Sequence, residues 1–447
     1  MHDEQENRPF GLGPDLTSQQ RHAAERCLAV LKRATETRQI VLAGYAGTGK
    51  TFTTGAIVRA LLAADRRVCV LAPTHKALSQ VRERLPPGVE TYTIHQGLAL
   101  RMRRDDNGEM QAVQRVDKKG KLVDPPVRSF DCVIVDEASM AGESLYGMLQ
   151  VAAGARPILW IGDPAQLPPV NDGDDSPVWS LVSEQVRLTE IVRQKAGSGI
   201  ARASMMVRQA IEDRRRVQLR DLREFEGDEI VVMPGGPLAV AETVAGGIGA
   251  GLDCRAIAYT NKATLQLCDM VHKMTHPPGA HRYSPGDPVV FARQYGLTMD
   301  DAVANNAETR VTRVEGEAVL YDVPIWKVET ERIGVVNVPQ DLREHANRIG
   351  AVKSELRRAN KAHQKAPNRE TRAARDSALS LLGLYQDGFA DLRHTYASTA
   401  HKAQGSTYDA AVLHWSDLEK MRDAVTFNRA VYVALTRPSQ YLCIVGG

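Results

Sequence analysis

Short apolar runs recur along the first half of the chain, each followed by a longer stretch with apolar residues at helical spacing. Ile40-Val41-Leu42-Ala43, Val68-Cys69-Val70-Leu71-Ala72, Cys132-Val133-Ile134-Val135 and Ile158-Leu159-Trp160-Ile161 show no polar alternation and are rich in β-branched residues. Runs this short and this apolar fit strands covered on both faces. Their alternation with helical stretches predicts a parallel α/β sheet. A first helix is expected over residues 17–36, opening at Thr17 or Ser18 as its cap, behind a disordered tail over residues 1–9. A second α/β unit is expected to start near Val186. Its strands are placed at Ala256-Ile257-Ala258-Tyr259, Ala410-Ala411-Val412-Leu413 and Tyr441-Leu442-Cys443-Ile444-Val445.

Both units are interrupted. Residues 99–129 carry eight Lys/Arg against five Asp/Glu, turn signals at Asp106-Asn107-Gly108 and Lys119-Gly120, and a Pro125-Pro126 exit. They predict a small basic β-hairpin inserted into the first unit. Residues 283–340 hold short β-like pieces around Ser284-Pro285-Gly286-Asp287, Val289-Val290-Phe291 and Ile325-Trp326-Lys327-Val328. Residues 341–376 follow at helical spacing with ten Lys/Arg against five Asp/Glu. That charge run fits an arm lying along a phosphate backbone. It equally fits a solvated helical hairpin, broken at Pro367, whose alanines pack and whose charges face water, the usual fate of such runs.

Composition narrows the classes. At about 150 residues per domain, 447 residues suggest roughly three domains. A content of 43% hydrophobic and 25% charged residues excludes wholesale disorder and collagen-like repeats. The net charge of +3 names no partner by itself, so a nucleic-acid footprint has to be local. No apolar run approaches the ~18 to 20 residues of a membrane span. The start, MHDEQENRPF, has no apolar signal core, so a cytoplasmic protein with no membrane partner is expected. Cys27, Cys69, Cys132, Cys254, Cys268 and Cys443 are scattered with no C-x-x-C pair, which predicts reduced, core-filling thiols.

Gly44-Tyr45-Ala46-Gly47-Thr48-Gly49-Lys50-Thr51 satisfies G-x-x-x-x-G-K-[ST] between a buried strand and a helix, the context this motif requires. Its glycines let backbone N–H groups wrap a triphosphate; Lys50 reaches the β/γ-phosphates and Thr51 ligates Mg²⁺. Asp136-Glu137, at the end of a buried strand, supplies two carboxylates where such sheets bind ligands. Asp136 is assigned to the Mg²⁺ shell and Glu137 to the attacking water. An Asp-Glu pair in that place is otherwise a helix cap; the phosphate loop upstream favours catalysis. Gln166, in Gly162-Asp163-Pro164-Ala165-Gln166-Leu167-Pro168, is a candidate γ-phosphate sensor. Arg193, in Leu188-Thr189-Glu190-Ile191-Val192-Arg193-Gln194, and Arg437, in Val433-Ala434-Leu435-Thr436-Arg437, are candidate arginine fingers. Either arginine alone would be a surface ion pair; their joint occurrence with the other motifs reverses that.

Together these strings resemble the superfamily 1 helicases, in particular the 5′-to-3′ subgroup containing RecD and phage Dda. Leu16-Thr17-Ser18-Gln19-Gln20 looks like the adenine-reading motif. Ala72-Pro73-Thr74-His75-Lys76 and Tyr92-Thr93-Ile94-His95 look like the first pair of strand-contact motifs, and Ala258-Tyr259-Thr260-Asn261-Lys262 and Ser398-Thr399-Ala400-His401-Lys402-Ala403-Gln404-Gly405-Ser406-Thr407 follow in the family's order. The resemblance implies two RecA-like cores, over 1–98 with 130–185 and 186–282 with 393–447. It implies a strand-separating hairpin at 99–129, and an SH3-like module with a basic helical arm at 283–392. It implies ATP and Mg²⁺ held between the cores, Gln20 reading adenine and Gly405 beside the nucleotide. Thr74, His75, Thr93, His95, Asn261, Thr399, His401 and Lys402 are implied to lie on or near single-stranded DNA. His75 and His95 are equally well read as hydrogen-bonded core or capping residues; His401 sits in the most distinctive string.

The implied activity is ATP-driven 5′-to-3′ translocation by a monomer on single-stranded DNA, with unwinding at duplex junctions. A single-strand-binding protein or replication and repair proteins are the implied partners. An ATPase subunit of a repair or recombination complex, and an RNA-directed translocase, are the alternatives. Members of the subgroup can carry an aromatic at the hairpin tip, whereas residues 99–129 contain no Phe, Tyr or Trp. Met102 or Met110 as a wedge, or plain steric exclusion, are the options left.

Overall fold

The computed structural model describes residues 12, 15–32, 38–105, 110–117, 119–169, 175–192, 198–293, 295–296 and 306–447. The expected tail at residues 1–9, the helix beyond Lys32 and the Asp106-Asn107-Gly108 turn lie outside the described residues, as do the side chains of Met102 and Met110. The chain divides into two compact units. One comprises residues 1–100, 114–275 and 396–447, the other residues 101–113 and 276–395.

In the first half the strands are β1 (Gln39–Gly44), β2 (Val68–Ala72), β3 (Glu90–Thr93), β4 (Leu100–Arg104), β5 (Met110–Gln114), β6 (Cys132–Val135), β7 (Ile158–Gly162) and β8 (Gln185–Leu188). Six of them form one sheet ordered β3-β2-β6-β7-β1-β8, parallel throughout, while β4 and β5 pair as a separate ribbon. The period of two along β1 sends its side chains to opposite faces. Ile40 and Leu42 pack with Leu28, Ile57 and Leu61, whereas Val41 and Ala43 pack with Val133, Val135 and Trp160. A strand with both faces covered has no position for a polar side chain, which is why these runs are apolar throughout.

The first sheet extends further than residue 185. Val186 does not open a second unit: β8 pairs with β1, Leu42 opposite Val186. As an edge strand it is covered on one face only, so Gln185-Val186-Arg187-Leu188 alternates polar with apolar instead of forming an apolar run. The polar edge strand β3 is legible only in the structure for the same reason.

The later strands are β9 (Ile230–Met233), β10 (Cys254–Ala258), β11 (Pro288–Phe291), β12 (Glu308–Leu320), β13 (Val323–Thr330), β14 (Gly334–Pro339), β15 (Leu392–His394), β16 (Ala397–Thr399), β17 (Tyr408–His414) and β18 (Pro438–Val445). A second parallel sheet, ordered β16-β10-β17-β18-β9, belongs to the same compact unit as the first. Against it lies helix Ala424–Leu435, buried from Ala430 to Leu435.

The other unit is built on an antiparallel sheet ordered β14-β13-β12-β11-β15. Its core holds Tyr283, Val289, Phe291, Val311, Val328, Val336 and Val338. Asp391, buried beside β15, bonds Arg393 at 2.7 and 2.8 Å and has Arg293 at 3.3 Å. Helices Leu342–Lys365 and Arg369–Asp387 pack through Val352, Leu356, Ala378 and Leu382, with Asn368 capping the second just after Pro367. Arg357, Arg358, Lys361 and Lys365 are exposed. Among the described residues no helix is long and apolar enough to cross a membrane, and all six cysteines are free, five of them buried.

Candidate active site

β1 ends at Gly44, and the loop to Gly49 turns over the end of the sheet before helix Lys50–Leu62 begins. Gly49 takes φ 79°, which favours glycine, and a Cβ there would lie 2.5 Å from Gln20 Nε2 and push that amide aside. Gln20 is buried beneath the loop. Its Nε2 donates to Thr48 O at 3.0 Å and its Oε1 accepts from Thr17 N at 3.1 Å. Gln19 next to it accepts from the N–H groups of Thr189 and Glu190, 2.9 Å each. Lys50 Nζ rests on the loop's own carbonyls, Gly44 O and Tyr45 O, both at 2.9 Å.

A cavity of about 460 Å³ opens against this loop, lined by Ala46, Gly47, Gly49, Lys50 and Thr51. Asp136 and Glu137 reach it from the end of β6, Gln166 from the loop after β7. Asp136 Oδ1 accepts from Glu137 N at 2.9 Å. Burial, then the Glu137 charge beside it, pushes the Asp136 carboxyl up to about 7. Burial also raises Glu137, against the pull of Lys50 and Arg437. Glu137 stands at φ 53°, a left-handed conformation unusual for a side chain with a Cβ, and its buried Oε2 has no hydrogen-bond partner. Strain and an orphaned acceptor at one residue mark a site rather than a cap. The Asp136 carboxylate and the Thr51 hydroxyl line the same cavity, and oxygen donors of this kind suit a hard cation such as Mg²⁺.

The opposite wall comes from the second sheet. Gly405 lies at φ 72°, where a Cβ would stand 3.7 Å from Glu137 Oε1. Arg437 follows helix Ala424–Leu435 and is buried. It is held by Val433 O at 3.0 Å, Ser406 O at 3.0 Å and Thr436 Oγ1 at 2.9 Å. Gln404, which the sequence did not single out, donates to Gln166 Oε1 at 2.8 Å and to Ser139 Oγ at 3.3 Å. Its signal was its place between His401-Lys402 and Gly405; its partner is a tertiary contact that no local spacing shows. Arg193 lies outside the described residues.

The residues assigned to a DNA strand do not line this cavity. Thr74 follows β2, Thr93 ends β3, Asn261 follows β10 and Thr399 ends β16, all at the carboxyl ends of parallel strands. Thr74, Thr93 and Thr399 cap the helices that follow them, accepting from Ala77, Gln96 and Lys402 N at 3.1, 3.2 and 3.3 Å. Each hydroxyl keeps its own proton to donate. His75, Asn261 and Lys402 are exposed, while His95 and His401 are half-buried and held toward the neutral form by that burial.

Residues 15–223 match a family described as an AAA domain, and residues 394–445 one described as a UvrD-like helicase C-terminal domain. The ATP-dependent RecD2 DNA helicase of Deinococcus radiodurans is 30% identical over 183 residues, 40% of this chain and 23% of that one. The ATP-dependent DNA helicase Dda of Enterobacteria phage T4 is 25% identical over 463 aligned positions, 95% of this chain and 97% of that one. The chain is similar to ATP-dependent DNA helicases of the RecD and Dda type. It spans less than a quarter of the length of its RecD2 relative. A solved Pif1 helicase from Bacteroides, in complex with ADP-AlF3 and ssDNA, aligns over 94% of this chain and 91% of that one. At 15% identity and a TM-score of 0.46 it is too distant to add to the assignment. The two family matches leave residues 224–393 unmatched, the stretch that carries β9, β10 and the antiparallel sheet.

Proposed function

We propose that this helicase hydrolyses ATP at the cavity described above and uses it to move 5′-to-3′ along single-stranded DNA, unwinding duplex ahead of it. One observation carries the reading: Lys50, Asp136 and Glu137 from the first sheet meet Arg437 from beside the second around a single cavity. In the proposed step Lys50 exchanges its two carbonyl partners for the β/γ-phosphate oxygens. The orphaned Glu137 oxygen holds and deprotonates the attacking water. The Arg437 fork faces charge spreading over the transferred phosphoryl group. Thr51 and Asp136 would hold Mg²⁺, which when bound would neutralise charge on the phosphates. With its Oε1 taken by Gln404, Gln166 has its amide N–H groups left to donate toward the phosphate.

The strand-end hydroxyls, imidazoles and amides, with Lys402, are assigned to the phosphates and bases of one DNA strand, a grip tolerant of sequence. The ribbon of β4 and β5 is assigned to strand separation by steric exclusion. The test is unwinding of two partial duplexes that differ only in carrying a 5′ or a 3′ single-stranded tail. ATP-dependent strand release from the 5′-tailed duplex alone is expected. Release from the 3′-tailed duplex alone would reverse the polarity. Hydrolysis stimulated better by RNA than by DNA would change the substrate.

A further inference from the structure

A buried polar cluster behind the phosphate loop ties the two sheets together. The Tyr432 hydroxyl, on helix Ala424–Leu435, accepts from Ala46 N at 3.1 Å and donates to Asp163 Oδ2 at 2.7 Å. Asp163 Oδ1 accepts from Arg208 Nη1 at 2.6 Å and from Ala165 N at 3.0 Å. The Arg208 guanidinium lies 3.9 Å from the ring centroid of Tyr45, the loop residue before Ala46. Asp163, Arg208 and Tyr432 are each under 5% exposed.

Each partner belongs to a different part of the proposed chemistry. Ala46 is in the phosphate loop. Asp163 begins the turn that carries Gln166, whose N–H donates to Asp163 O at 3.0 Å. Tyr432 lies just upstream of Arg437 on the helix that delivers it, and Arg437 Nε is itself anchored on Val433 O. None of the three buried side chains lines the cavity. We propose that Tyr432 is a positioning residue for ATP hydrolysis, its hydroxyl holding the phosphate loop, the Gln166 turn and the Arg437 helix in one register. The inference rests on the function proposed above.

The hydroxyl suits the task because it both accepts and donates, which no carboxylate or ammonium does. Burial, then the Asp163 charge, raises its pKa, so it stays a donor. Arg208 neutralises Asp163 in an interior where an unpaired carboxylate would be costly, and its stack on Tyr45 extends the hold to the loop. Removing the hydroxyl leaves Ala46 N–H without its partner and frees the helix from the loop, while Lys50 and the rest of the nucleotide contacts stay. The loss therefore falls on kcat and not on nucleotide binding.

The decisive experiment is a double-mutant cycle of Tyr432→Phe and Arg437→Lys, with DNA-stimulated rates taken per folded molecule below the melting transition. Tyr432→Phe is expected to lower kcat by about 3- to 10-fold, the scale of one buried hydrogen bond expressed as a rate, with KM for ATP within about twofold. In the Arg437→Lys background the same change should cost less than about twofold, because the residue it positions has already lost its fork. A kcat for Tyr432→Phe within twofold of wild type, or losses that multiply in the double variant, would overturn the proposal. Should Tyr432→Phe not fold, Arg208→Lys takes its place in the cycle. It keeps the charge on Asp163 and loses the flat stack on Tyr45, and the same two outcomes decide. A wild-type protein without DNA-stimulated hydrolysis, or one unaffected by Lys50→Ala, would instead sink the proposed function itself.

Discussion

Arg437 is anchored by three hydrogen bonds beside the second sheet, yet its charge acts on Glu137 at the end of the first. Arg437→Lys keeps that charge and loses the fork. An arginine finger is worth about 10³ to 10⁵ in rate, so DNA-stimulated turnover should fall at least ~10-fold while ATP binding changes less. A steady-state assay with nucleotide titration checks both, and turnover within twofold of wild type would make Arg437 a folding residue. Glu137→Gln keeps the shape of the side chain and loses the base; it should bind Mg-ATP and hydrolyse it slowly, read by equilibrium binding beside single-turnover chemistry. Loss of binding would return Glu137 to the role of a cap. These residues were legible because each sits in a short string whose spacing carries the chemistry. Tyr432 and Arg208 were not, and Asp163, although inside the Gln166 string, carried no role of its own: only the folded chain brings the three within hydrogen-bond reach.

At the scale of elements the buried strands declared themselves and the edge strands did not. β1, β2, β6 and β7 are covered on both faces, so their composition admits little but apolar residues. β3 and β8 sit at the two edges of that sheet and read as polar connections. In the antiparallel sheet, burial alone would raise the Asp391 carboxyl, but the hydrogen bonds and charge of Arg393, with Arg293, hold it below the usual carboxylate range. A depressed folded pKa contributes stability above the ordinary value and loses it as pH falls through the lower one. Asp391→Asn should therefore destabilise this unit by about 1–3 kcal/mol at neutral pH, less than a fully buried pair because both arginines are partly exposed. The gap between the melting curves of variant and wild type should close as pH drops below about 4. A gap that did not change with pH would remove the ion pair as its cause.

For the whole molecule a net charge of +3 makes long-range attraction to DNA weak, so affinity has to come from contacts along the track. Binding to single-stranded DNA should weaken with salt at a log–log slope near ~0.7 per phosphate neutralised and vary little with base sequence, measured by fluorescence titration at several ionic strengths. Strong preference for one short sequence would count against a translocase. The order in which the second sheet receives its strands has a further consequence. β9 and β10 precede the antiparallel unit, whereas β17 and β18, which lie between them in the sheet, follow it. A ribosome therefore releases both the flank and the neighbouring strand long before the strands that join them. Closing so long a loop adds little equilibrium cost, since each doubling of length adds only about 0.6 kcal/mol. What it adds is waiting time: the first sheet can finish while β9 and β10 stay unpaired, so the half-made chain presents open strand edges to chaperones until the segment after residue 395 emerges.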